Sequence, residues 1–241
     1  MSTLAQVRAD IIDCDTCARL RTYCTRIARE KRAAFRDETY WGKPVPGFGD
    51  PDARIVLVGL APAAHGANRT GRNFTGDGGG GSGDFLMAAL HANGLANQSF
   101  SQRIDDGLRL QNAWIMAAVR CAPPDNKPSP AEIANCYRHL RAEMDALPNV
   151  RVYVALGRIA FDACWRLIAE RHRDRLKAAG TWPASRPLFE HGGTYRLPGA
   201  PTIVASYHPS RQNTHTGRLT PAMLRAVFRR AVQESTRQSP A

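Results

Sequence analysis

No apolar run in this 241-residue chain approaches the roughly 20 residues that a bilayer-spanning helix requires. The N-terminus, MSTLAQVRADIIDCDTC, lacks a basic stretch followed by an apolar one, so it does not read as a secretory signal. A cytoplasmic location is therefore expected. No internal repeat is present, and the only low-complexity stretch is the glycine run at positions 78 to 81. That run, GDGGGGSGD, carries neither G-x-x-x-x-G-K-[ST] nor G-x-G-x-x-G between a strand and a helix. The missing patterns count against a nucleotide-binding enzyme that cradles phosphate in a glycine loop. Acidic residues are few: 21 against 33 Lys plus Arg, a formal net charge of +12. An excess of this size suits a polyanion binder, because released counterions supply much of the affinity for nucleic acid. Charge alone does not decide the matter, since many basic proteins bind nothing anionic.

Apolar residues make up 43% of the chain, enough for a sizeable core. A helical, charged segment (18–36) leads into a Pro/Gly-rich connection, WGKPVPGFGDPDA, after which strands and helices alternate. Short apolar, β-branched runs at 54–59, 114–120, 150–156 and 201–206 predict four strands. Helices are predicted over 84–94 with Asp84 as cap, from Ser129 to about residue 147, over 157–173 and over 221–235. Ser129, Pro130 and Glu132 form a capping signature with Pro at the first helical position. Nearly continuous apolar strands alternating with helices predict an α/β/α three-layer sandwich around a parallel four-stranded sheet. Ligands bind beyond the carboxyl ends of such strands. The unusual loops GLAPAAHGANRTGRNFTGD, CAPPDNKP, ALGR and SYHPSRQN all fall there.

Six cysteines in a reducing compartment are poor disulfide candidates, and clustered ones read as ligands. Cys14 and Cys17 form a C-x2-C pair, and Cys121 and Cys136 form a second, more widely spaced pair. Four thiolates suit either zinc or an iron–sulfur cubane, and spacing does not choose between them. Cys164 reads as core, whereas Cys24 is either a spare ligand or a buried structural thiol.

Four segments together carry a resemblance: Gly59–Asp77 (GLAPAAHGANRTGRNFTGD), Ala117–Cys136 (AAVRCAPPDNKPSPAEIANC), Ala155–Ala163 (ALGRIAFDA) and Ser206–Thr220 (SYHPSRQNTHTGRLT). In this order the chain resembles the uracil-DNA glycosylase superfamily, most of all its type B (family 5) branch. The resemblance spans Cys14 to Thr220. It implies one glycosylase domain over residues 1–241, to which the helical segment 1–50 contributes two cysteines. It also implies a [4Fe–4S] cluster on Cys14, Cys17, Cys121 and Cys136. The implied activity is removal of uracil from DNA in base excision repair, with hypoxanthine and other deaminated bases as further substrates. A monomer suffices for that task.

Excision of a flipped base requires a stacking platform, a donor for the departing pyrimidine, an anion near the sugar, and a water. The resemblance places Phe74 as platform, His208 as donor to the pyrimidine O2, and Asp77 as the anion, with Asp84 second to it. Ala61 stands where relatives often carry a carboxylate or Asn, and Ala117 where they place an Asn that reads the uracil edge. Gly59 allows close approach of the base, and Asn126 is a candidate replacement polar contact. Ser210, Arg211, Gln212 and Asn213 resemble a loop that enters the minor groove, while Arg69, Arg72 and Lys127 are candidate phosphate contacts. The four glycines at 78–81, where relatives carry one small residue, put the placement of Asp77 in question. The competing reading is an iron–sulfur DNA-binding protein that keeps the scaffold with little or no glycosylase activity.

Overall fold

The computed structural model describes residues 3–76 and 81–237. Its centre is a parallel run of four strands, β2 (Ile55–Gly59), β3 (Ala113–Ala117), β4 (Val152–Leu156) and β6 (Thr202–Ser206). Two-residue antiparallel strands, β1 (Phe48–Gly49) and β5 (Thr194–Tyr195), extend it to six in the order β1-β3-β2-β4-β6-β5. The parallel sheet expected from the apolar runs is thus present, with two short edge strands in addition. Periodicity had no means of revealing pairs so short.

Successive strand residues are buried on opposite faces. Val56, Val58, Trp114, Met116, Tyr153, Ala155, Ile203 and Ala205 pack on one side against α5 (Pro130–Asp145) and α6 (Arg158–Ala178). Ile55, Leu57, Ala113, Ile115, Val152, Val154 and Val204 pack on the other against α4 (Ser82–His91) and α8 (Pro221–Thr236). Period-2 alternation with both faces covered is why these strands read as unbroken apolar runs.

The capping signature at Ser129 is realised in full. Its hydroxyl accepts from Glu132 N at 3.2 Å, and the Glu132 carboxylate accepts from Ser129 N at 2.7 Å. The same carboxylate takes a two-pronged contact from Arg19 on α2 (Ala18–Glu30), at 2.8 and 2.7 Å. This tie, with α1 (Leu4–Ile12) lying along α5, brings the N-terminal helices beside the end of β3. The segment expected to be helical over 18–36 ends at Glu30, because Lys31 turns to φ +56°. Helix α4 begins at Ser82, so Asp84 lies in its first turn instead of capping it. Its carboxylate accepts from Ser101 N at 3.4 Å. No helix among the described residues is long and apolar enough to cross a membrane.

Candidate active site and cysteine cavity

A cleft of about 840 Å³ opens where the carboxyl ends of the parallel strands meet their loops. Gly59, Ala61, Phe74, Ala117, Asn126 and His208, drawn from the ends of β2, β3 and β6 and the three loops that follow them, all line it. Phe74 and His208 lie side by side at one end, with ring centroids 5.8 Å apart and planes 29° from parallel. Phe74 holds φ +53°, an unfavourable backbone for a bulky side chain. Glycines on two sides permit it. A Cβ at Gly59 would lie 3.1 Å from the Phe74 ring, and one at Gly83 only 2.3 Å from the Phe74 carbonyl oxygen. Strain of this kind persists only where its surroundings fix it, and it concentrates at functional sites.

His208 is half-buried, and burial pushes its pKa down to about 4, so the ring is neutral at pH 7. Its backbone carbonyl accepts from the side-chain amide of Asn213 at 2.8 Å, which pins the turn. The preceding Tyr207 stacks on His191 at 4.8 Å and takes the Arg218 guanidinium at 4.4 Å, while its N–H donates to His191 Nδ1 at 3.1 Å.

Asp77 lies outside the described residues. Ser210, Arg211 and Gln212 line the cleft on and just before the short helix α7 (Arg211–His215), and Lys127 lines it from the β3 side. Asn213 instead faces back toward its own loop. Arg69 and Arg72, expected at phosphates, are corrected by the structure, since both are buried and fully engaged. Arg69, on the one-turn helix α3 (Ala67–Thr70), pairs with Glu38, donates to Gly76 O at 2.7 Å, and lies 3.9 Å over the Phe35 ring. Arg72 pairs with Asp106 at 2.7 Å and also donates to Thr75 Oγ1, Ser101 Oγ and Arg103 O. Both read as surface charges in sequence because their partners lie about thirty residues away. The N-terminal segment also walls the cleft, through Tyr23 on α2 and Arg32 just beyond it, and His65 joins them, accepting or donating at 3.1 Å to Tyr40. No local pattern identified these residues, since only the long-range fold brings them to the cleft.

Beside the cleft, Cys14, Cys17, Cys121 and Cys136 line one small cavity together with Leu20, Val119 and His139. Cys17 precedes α2, Cys121 follows β3, and Cys136 lies on α5, so the Arg19–Glu132 tie sets their approach. Nitrogen donors already face three of the sulfurs. Arg120 N lies 3.2 Å from Cys136 Sγ, Arg138 Nη2 lies 3.3 Å from Cys14 Sγ, and Asn135 Nδ2 lies 3.8 Å from Cys17 Sγ. Burial pushes the Cys14 thiol up, but hydrogen bonds from Thr16 and the Arg138 guanidinium outweigh it and hold the thiol below its ordinary range. Burial raises Cys136. Among the described residues, no three or more His, Cys, Asp or Glu side chains close on a single point as ligands of one ion. Cys24 is fully buried with its thiol 3.5 Å from Ala122 O, and Cys164 is buried in the core.

A mostly parallel α/β sheet with a cleft at its carboxyl edge roomy enough for a base and its flanking backbone fits an enzyme that works on an extruded nucleobase. The chain belongs to the uracil DNA glycosylase superfamily, whose profile matches residues 46–232. It is 51% identical over 218 residues to the type-5 uracil-DNA glycosylase of Thermus thermophilus, covering 90% of this chain and 92% of that protein. It is 45% identical over 230 residues to the type-5 uracil-DNA glycosylase of Mycobacterium leprae, covering 95% and 94%. The corresponding protein of Pyrobaculum aerophilum is 42% identical over 225 residues, covering 93% and 90%.

Proposed function

We propose that this chain is a monofunctional uracil-DNA glycosylase of the type-5 kind, acting in base excision repair as one cytoplasmic, monomeric domain. The observation that carries the reading is the meeting of Gly59, Phe74 and His208 in one cleft, in a chain 51% identical to a type-5 enzyme. A base within a duplex is out of reach, so it is turned out of the stack at a cost of a few kcal/mol. Phe74 then carries its face, and Gly59 lets the ring approach the end of β2. Cleavage of the N-glycosidic bond leaves negative charge on the departing uracil and positive charge on the sugar. The neutral His208 donates to the pyrimidine O2 as that charge appears, which is when a preplaced donor accelerates the reaction most. Asp77 supports the sugar cation and orients the attacking water. Lys127, Ser210, Arg211 and Gln212 meet the DNA backbone and minor groove. Ala117, buried in the cleft, offers no polar edge to distinguish bases. Its small side chain supports a range that extends to hypoxanthine and other deaminated bases, with Asn126 as the nearby polar contact.

The cysteine cavity supports a bound [4Fe–4S] cluster on Cys14, Cys17, Cys121 and Cys136. Four soft thiols spread round the wall of one cavity match a polynuclear centre in which each iron takes one thiolate. Nitrogen donors directed at the sulfurs are a common way to steady such thiolates. When bound, the cluster supplies structural cross-linking between the N-terminal helices, β3 and α5. The experiment is incubation of the pure protein with a uracil-containing duplex, followed by alkali. Strand breakage at uracil is the expected result. Tight binding without breakage would favour a DNA-binding protein on the same scaffold.

A further inference from the structure

The cavity ringed by cysteines holds a buried polar atom with no partner. His139 lies on α5 three residues after Cys136, a spacing that puts both side chains on one helix face. It is 6% exposed and lines the cavity with all four cysteines. Among the described residues its Nε2 has no hydrogen-bond partner, although it is buried. A buried polar atom left in this state carries its desolvation penalty with nothing to offset it. Its neighbours Leu20 and Val119 would accept an apolar residue there instead. Arg120 Nε is also buried without a partner, but that guanidinium is committed to Glu143 at 2.6 Å. His139 has no such commitment.

We infer that His139, through Nε2–H, is a hydrogen-bond donor to the iron–sulfur centre itself, directed at a cluster sulfur or a ligating thiolate. The inference rests on the cluster reading given above. Three of the four thiols already have nitrogen donors from the flanking segments, and His139 adds one from the inner wall. It is a positioning residue and not a ligand, since the four thiolates complete the coordination. A donor at sulfur stabilises the more negatively charged, reduced cluster and so raises its potential.

The test starts with the anaerobically prepared, full-length wild-type protein. Iron and sulfide are measured first, and an iron-free protein would overturn both the cluster reading and the role of His139. With the cluster present, protein labelled with 15N-histidine is reduced at cryogenic temperature. Electron–nuclear double resonance then reads nitrogen coupling to the cluster. A weak histidine coupling is expected, and its absence in the wild type would overturn the inference while leaving the cluster in place. This reading needs no variant to fold. His139→Phe should abolish the coupling and lower the equilibrium constant for one-electron reduction about tenfold, which is about 59 mV. His139→Gln keeps an N–H donor and should recover part of that shift without the ring-nitrogen signal. Wild-type potential in both variants would also overturn the inference.

Discussion

Lowering the pH through the ordinary histidine range tests whether His208 works as a neutral donor. Its folded pKa is depressed to about 4 by burial, against about 6.5 in the unfolded chain. At about 1.4 kcal/mol per pH unit, the gap corresponds to about 3 kcal/mol favouring the neutral ring in the folded state. Between these two values the unfolded state binds a proton that the folded state refuses. Stability therefore rises with pH across this window, and it is lost as pH falls from about 6.5 toward about 4. Catalysis should behave differently. At pH 5 a group with pKa near 4 is still about nine-tenths neutral, whereas an ordinary histidine is almost wholly charged. The assay is NMR of the protein labelled at histidine, with the His208 signal assigned by loss in His208→Asn, beside kcat/KM on uracil-containing duplex. The His208 ring should titrate near pH 4, and no acid limb from it should appear near pH 6.5. His208→Asn should lower kcat about a hundredfold, as removal of one preplaced donor does. A His208 midpoint near 6.5 would refute the argument, because burial would then not govern its charge.

Four further outcomes are expected. Asp77→Ala should cut turnover at least about tenfold with DNA binding intact; wild-type turnover would leave water positioning to other groups, since Asp84 is engaged with Ser101. Cys121→Ser should bleach the cluster's visible absorption and lower the melting temperature, and an unchanged spectrum would remove Cys121 from the ligand set. Arg72→Ala strands the Asp106 carboxylate, which Arg72 and backbone N–H groups hold below its usual range against the burial that raises it. The loss should be about 3–5 kcal/mol in urea denaturation near neutral pH. It should shrink as pH falls through the depressed Asp106 pKa, and a loss under about 1 kcal/mol would show the pair to be dispensable. Gly59→Ala places a Cβ 3.1 Å from the Phe74 ring and should reduce kcat/KM about tenfold, with a stability change of about 1–3 kcal/mol; unchanged kcat/KM would separate Phe74 from the base.

The parallel strands were legible because each is a run of four or five buried residues facing two cores, a pattern that survives without tertiary knowledge. Helix α5 was legible for a different reason, since Ser129, Pro130 and Glu132 satisfy its first turn locally. The short edges β1 and β5 were not, because two residues carry no period. The site divides in the same way. Gly59 and His208 stand at the ends of β2 and β6, Phe74 lies in the long loop after β2, and the fold delivers all three to one cleft. Asn213 and the two buried arginines stand in equally recognisable loops, yet their side chains turn inward.

Arg72 shows why a loop motif alone misassigns such residues. Its position two before Phe74 suggests a hand extended toward DNA, but the guanidinium points the other way. It holds Asp106, Ser101 and the Arg103 carbonyl, and its Nε reaches Thr75 on the far side of Phe74. A single side chain thus spans the residue whose φ of +53° has to be maintained. Phe74 is thus bracketed by an arginine in a buried ion pair, whose partner lies some thirty residues distant in sequence, and by the space left at Gly59 and Gly83. The charge seen in the motif therefore serves the turn that carries Phe74. Lys127 and Gln212, by contrast, are exposed and line the cleft.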